Sequence, residues 1–207
     1  MENYMRKKLL LQQQPNEHDV TVQFLQSKIE SQDIQFKYFI TLSYYVSIDD
    51  MTYMIKTHKH VKKVILKYLY NNIPKDRIRI WFFMETHKSG SYHSHILMEG
   101  LDDRIRMRYC NRNNILFTPT GSTDNIIKYT DGNLDEEIMD GLRAHLQENV
   151  DTLGKGSGAV DIRDVGDIDR RLGYVNKEMR YGINEMSMRG YSDKGLYDHI
   201  DIDNCDM

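Results

Sequence analysis

Residues 36–45, FKYFITLSYY, form the first dense block of aromatic and β-branched side chains and predict a strand. Two more such blocks, residues 77–86 and 92–99, flank His87-Lys88-Ser89-Gly90-Ser91, which reads as a short hairpin turn. Between the first and second blocks the period changes. Met51, Met54, Ile55, His58, Val61, Ile65, Tyr68 and Leu69 fall on one helical face, Asp49 and Asp50 supply a cap, and Asn71-Asn72-Ile73-Pro74 stops the helix. Leu134, Ile138, Leu142 and Leu146 line up along a second long helix over 134–150. The glycine-rich loop 154–158 then leads to a short strand, 159–163, and Asp167 caps a last helix running to about residue 183. Residues 1–35 are polar and Gln-rich, with one short helix expected near 20–29. Residues 104–108 are a basic stretch, the region from there to about Gly132 is ambiguous, and the tail from Ser187 is rich in Asp and Gly.

These elements predict an α+β fold, with an N-terminal extension (1–35), one catalytic-sized domain (36–185) and an acidic tail (186–207). No internal repeat is present. The glycine-rich loop lacks the Gly-Lys-Ser/Thr of a phosphate-binding P-loop. No apolar run approaches the roughly 20 residues that cross a bilayer. The basic start is followed by only three leucines, short of a secretory leader, and two cysteines make neither a disulfide framework nor a zinc cage. An intracellular, cytoplasmic protein without a membrane partner is the expectation.

The net charge of −3 hides a segregation: residues 1–55 carry −2, 56–112 carry +8 and 113–207 carry −9. A basic middle can be a polyanion-binding face on an acidic protein, and Lys88, Arg104, Arg106 and Arg108 are its candidate phosphate contacts. A solvated helix followed by a solvated tail gives the same pattern.

His93 and His95 are two apart, so a strand puts both rings on one face. If the hairpin turns near Ser89, Glu85 pairs opposite His93 on that face. Two imidazoles and a carboxylate then offer three ligands to a divalent ion. Hydrogen-bonding strand histidines and an exposed glutamate are the plain alternative. A second copy, His58-Lys59-His60, sits inside the first long helix with its rings about 200° apart around the axis, too far to share an ion. It reads as a solvated or DNA-facing helix surface. Further on, Tyr174, Lys177 and Glu178 share one helical face. A tyrosine that attacks phosphorus must lose a proton held with a pKa of about 10, which a neighbouring ammonium and a divalent cation both ease. A core tyrosine beside a surface lysine is the alternative.

Taken together, these segments resemble the HUH endonuclease superfamily and, within it, the rolling-circle replication initiators (Rep proteins) of plasmids, phages and small DNA viruses. Phe39-Ile40-Thr41-Leu42-Ser43 looks like the family's first motif, commonly written FLTLT. Glu85 with His93 and His95 is similar to the second, and Tyr174-Val175-Asn176-Lys177 to the third, Tyr-x-x-Lys. Residues 156–163 resemble the strand before the catalytic helix in plasmid-type initiators. Ser94 departs from the pattern, being small and polar where the family has a bulky apolar residue.

The resemblance implies a central antiparallel sheet flanked by helices, with the His-Ser-His strand inside it. It implies a metal site at Glu85, His93 and His95 holding Mg²⁺ or Mn²⁺, with Tyr174 as nucleophile and Lys177 steadying the phosphate. The activity implied is nicking and rejoining of single-stranded DNA at a replication origin through a 5′-phosphotyrosine. A separate helicase and a host polymerase in a bacterial cell would be the partners. Some relatives use two tyrosines, but Tyr181 lies two turns, about 10.5 Å, beyond Tyr174 and reads as core or base-stacking. Rival readings are a conjugative relaxase or transposase of the same superfamily, whose relaxase members usually carry the tyrosine first in the chain, and an inactive DNA-binding module on this scaffold. A histidine-triad hydrolase would need a third histidine where Leu97 stands.

Overall fold

The computed structural model describes residues 17–45, 48, 50–72, 74, 77–86, 92–115, 131–154, 156 and 158–175. Its elements, in chain order, are α1 (Glu17–Ser31), β1 (Phe36–Leu42), α2 (Met51–Tyr70), β2 (Ile80–Thr86), β3 (Tyr92–Glu99), α3 (Asp103–Arg112), α4 (Asp131–Asn149), β4 (Val160–Asp164) and α5 (Ile168–Val175). The strands form one antiparallel sheet in the order β2-β3-β1-β4. The His-Ser-His strand β3 is therefore interior, hydrogen-bonded on both edges.

Local signals account for most boundaries. Asp50 caps α2, its carboxylate accepting from Tyr53 N–H, and Asn71 ends that helix at a φ of 68°, a conformation Asn tolerates. Asp167 Oδ1 accepts the Arg170 N–H at the start of α5. The basic stretch 104–108 lies in a helix that Asp102 caps: its Oδ1 accepts the Ile105 N–H at 2.9 Å. β2 starts at Ile80 rather than 77. The Ile78 N–H is taken by the Tyr70 hydroxyl and the Arg79 N–H by the Glu99 carboxylate, so side chains replace the ladder there. β1 stops at Leu42, although Tyr44 still bridges Leu153. The hairpin turn at 87–91, the expected extension of α5 to about 183, the tail 186–207, and residues Lys88, Lys177 and Tyr181 all lie outside the described residues.

The pleat sends alternate residues to two separate cores. On one face Tyr38, Ile40, Leu42, Phe82, Ile96 and Met98 meet α2, α3 and α4. On the other, Phe36, Phe39, Trp81, Phe83 and Leu97 meet Leu25 of α1 and Leu172 and Val175 of α5. An irregularity between Phe36 and Tyr38 shifts the register by one, which is why these two same-parity residues face opposite ways. α1 falls within residues 1–35, yet its Leu25 is fully buried on the sheet, so that part of the expected extension belongs to the same folded unit. α2 and α4 approach closely: a Cβ at Gly141 would stand 2.2 Å from the Tyr68 hydroxyl, which donates to Ile138 C=O. No helix among the described residues is long and apolar enough to cross a membrane.

Candidate active site

The α1/α5 side of the sheet carries the residues singled out for chemistry. Glu85 pairs with His93 across the β2–β3 ladder, and His95 pairs with Phe83 on one side and Thr41 on the other. His93, His95 and Glu85 thus share one face by strand alternation. His95 is only 3% exposed. Its Nε2 lies 2.5 Å from Glu85 Oε2 and its Nδ1 3.2 Å from Thr41 Oγ1. One tautomer satisfies both contacts: Nε2–H donates to the carboxylate and the Thr41 hydroxyl donates to Nδ1. The ring also stacks on Phe39, with centroids 5.3 Å apart and planes 15° from parallel. Phe39 and Thr41 both belong to the segment that looks like a first motif, so β1 grips His95 from the side opposite Glu85.

Tyr174 arrives from the far end of the chain. It sits in the last turn of α5, whose Leu172 and Val175 are buried against the sheet. Its ring lies 5.3 Å from the His95 ring and 6.3 Å from Phe39, edge-on to both. The side chain remains 43% exposed. The residue is thus part exposed while its ring is held against the histidine. Arg171, one helical turn earlier, stacks over Phe39 at 4.7 Å and donates Nε–H to Val165 C=O. Nothing but its i, i+3 spacing to Tyr174 could have marked this arginine in the sequence.

The donor types suit a divalent ion, but here both ring nitrogens of His95 are engaged, by Glu85 and by Thr41. However, among the described residues no three His, Cys, Asp or Glu side chains come together as an ion-ready group. A three-donor site of Glu85, His93 and His95 therefore requires these side chains to rearrange, with one His95 nitrogen released from its present hydrogen bond.

The structure does not bring the basic segment here. α3 packs on the opposite face of the sheet, through Ile105 and Cys110. Arg106 makes a two-pronged pair with the buried Asp135, Nε to Oδ1 at 2.8 Å and Nη2 to Oδ2 at 3.0 Å, and also meets Asp103. Lys37 and the Tyr38 hydroxyl complete that knot at 2.9 and 3.2 Å. Burial works against the Asp135 carboxylate, but the hydrogen bonds from Arg106 and Lys37 outweigh it and hold the pKa below the usual range. Arg108 donates to Tyr68 C=O, and Arg104 pairs with Asp102 at 3.0 Å. The local +8 is thus partly spent on carboxylates and carbonyls within the fold.

Ser94 faces away from the histidines, as alternation requires, and is fully buried. Its hydroxyl meets His58 Nε2 at 2.6 Å, Tyr44 Oη at 2.7 Å and Met54 Sδ at 3.7 Å. His58 is therefore no solvated helix surface. It is 3% exposed, with its ring on Phe82, and burial pushes its pKa down to about 3. Burial likewise raises that of Tyr44. His60, the other member of that motif, is exposed and meets Asn149 C=O. An imidazole thus fills the space behind the small residue at 94, and its place on the apolar stripe of α2 was the available signal. No protein-family model, no curated protein and no solved structure matches the chain.

Proposed function

We propose that this protein is a metal-dependent, single-stranded DNA nickase and strand transferase of the HUH type, acting as a rolling-circle replication initiator in a bacterial cytoplasm. The observation that carries the reading is the meeting of Tyr174 with His95, itself bonded to Glu85, from segments about 80 residues apart in the chain. Core tyrosines are common, but a part-exposed tyrosine against a buried histidine that is bonded to a glutamate suits nucleophilic attack.

In this reading the Tyr174 oxygen attacks a backbone phosphorus. The P–O3′ bond breaks, the phenol proton is lost, and the departing oxygen gains one to become a 3′-hydroxyl that primes synthesis. The 5′-phosphate stays on Tyr174 until a later 3′-hydroxyl attacks it and rejoins the strand. Glu85 and His95, completed by His93, would hold Mg²⁺ or Mn²⁺, which supplies Lewis-acid polarisation of the phosphate. Thr41 and Phe39 fix the His95 ring by hydrogen bond and stack. Tyr174 is oriented by its own edge contacts, and Lys177 is assigned a part in steadying the phosphate.

The experiment is incubation with Mn²⁺ and a labelled random-sequence pool of single strands, followed by a denaturing gel and peptide mapping. A covalent adduct at Tyr174, absent from Tyr174→Phe, is expected. An adduct at Tyr181 would move the nucleophile. Binding without any adduct would favour an inactive DNA-binding module, the reading that gains from the unclosed three-donor group.

A further inference from the structure

Arg171 has an arrangement that packing alone does not explain. Its Nε is committed to Val165 C=O at 3.0 Å, and the guanidinium carbon stands over the Phe39 ring, 4.7 Å from its centre. Those two contacts restrain the guanidinium and lower the entropy cost of using it. Among the described residues, no carboxylate or carbonyl takes up its terminal nitrogens. By contrast, Arg79, Arg104, Arg106, Arg143 and Arg163 all have carboxylate partners. Phe39 is the shared platform: it carries Arg171, stacks on His95 and receives the edge of Tyr174. A preset, half-buried cation with its donors unspent, one turn before an exposed phenol, is suited to a singly charged tetrahedral anion.

We infer that Arg171 binds a backbone phosphate of the DNA strand beside the Tyr174 hydroxyl, an inference that rests on reading Tyr174 as the nucleophile. The fork grips two phosphate oxygens and places the strand against the phenol. The plain alternative is that Arg171 only ties the start of α5 to the end of β4 through Val165.

The test uses a 20-nucleotide single strand selected for adduct formation from the random pool, with all proteins carrying Tyr174→Phe so that binding is read without reaction. Fluorescence anisotropy over a salt series gives the slope of log affinity against log salt. Losing one phosphate contact on a single strand should flatten that slope by about 0.7. Arg171→Gln should do so and weaken binding about tenfold at low salt, which corresponds to ~1.4 kcal/mol. Arg143→Gln removes the same charge from α4, which packs on the opposite face of the sheet, and should leave the slope unchanged. Arg171→Met, which keeps the stem over Phe39, replaces the Gln variant if that variant lacks a cooperative thermal transition. Tight binding with an unaltered slope in the folded Arg171 variant would overturn the phosphate role while leaving the nickase reading intact. Failure to select any reactive strand would overturn both.

Discussion

Acidification from pH 7 to pH 5 should cost this fold about 2 kcal/mol through His58 alone. The imidazole is buried behind the His-Ser-His strand, bonded to Ser94 at 2.6 Å and lying on Phe82. Of the groups in that hydrogen-bonded cluster only Tyr44 also titrates, and burial raises it. Burial pushes the His58 pKa down to about 3, whereas an imidazole in the unfolded chain titrates near 6.5. Between those values the unfolded chain binds the extra proton. Stability is therefore complete above about pH 6.5 and is lost progressively as the pH falls toward 3. At pH 5 the loss spans about 1.5 pH units at ~1.36 kcal/mol each, which depends little on the folded pKa so long as it stays well below 5. In a chain of this size 2 kcal/mol moves the thermal midpoint by roughly 4–8 °C. Urea unfolding, followed by the fluorescence of Trp81, the single tryptophan, measures it. The comparison is His58→Gln, whose amide can still meet Ser94 but does not titrate. Other groups, such as His145, whose imidazole burial holds below its usual pKa, act alike in both proteins. Wild type should lose about 2 kcal/mol more than the variant on going from pH 7 to 5. Equal losses would refute the buried neutral imidazole.

Ser94→Leu, which puts a bulky apolar side chain between the two histidines, should destabilise by about 3 kcal/mol, because it overfills the site and strands His58 and Tyr44. A thermal midpoint at or above wild type would contradict that. Asp135→Asn should cost about 3 kcal/mol in urea unfolding, since it leaves Arg106 beside an uncharged, still buried partner. The same pair's stability is present above about pH 4 and lost as the pH falls through the lowered Asp135 pKa. Glu85→Gln with His95→Ala should abolish Mn²⁺ binding in calorimetry, and retained binding would place the ion elsewhere. Tyr181→Phe should still form the covalent adduct on a denaturing gel.

What could be read along the chain is what has a short period or a short loop. Alternation by itself puts His93 and His95 on one side of β3 and Ser94 on the other, and the length of the turn sets Glu85 opposite His93. Asp50 and Asp167 announce helix starts because a cap is a contact three residues long. The helical stripe through Met54, His58 and Val61 even contained the burial of His58, but a histidine beside Lys59 looks like surface until its partner is known. That partner, Ser94, is 36 residues away. Arg106 meets Asp135 from 29 residues away, so a count of charges along the segment could not tell a spent arginine from an available one. The order β2-β3-β1-β4 and the choice of sheet face for α5 depend on which apolar surfaces bury each other best over the whole chain. Sequence alone therefore determined the strand faces, the caps and the residue types of a candidate site. Only the tertiary structure decided that Tyr174 meets His95 and Arg171 lies over Phe39 while α3 packs behind the sheet, because long-range burial, unlike local periodicity, is a property of pairs that the chain brings together only on folding.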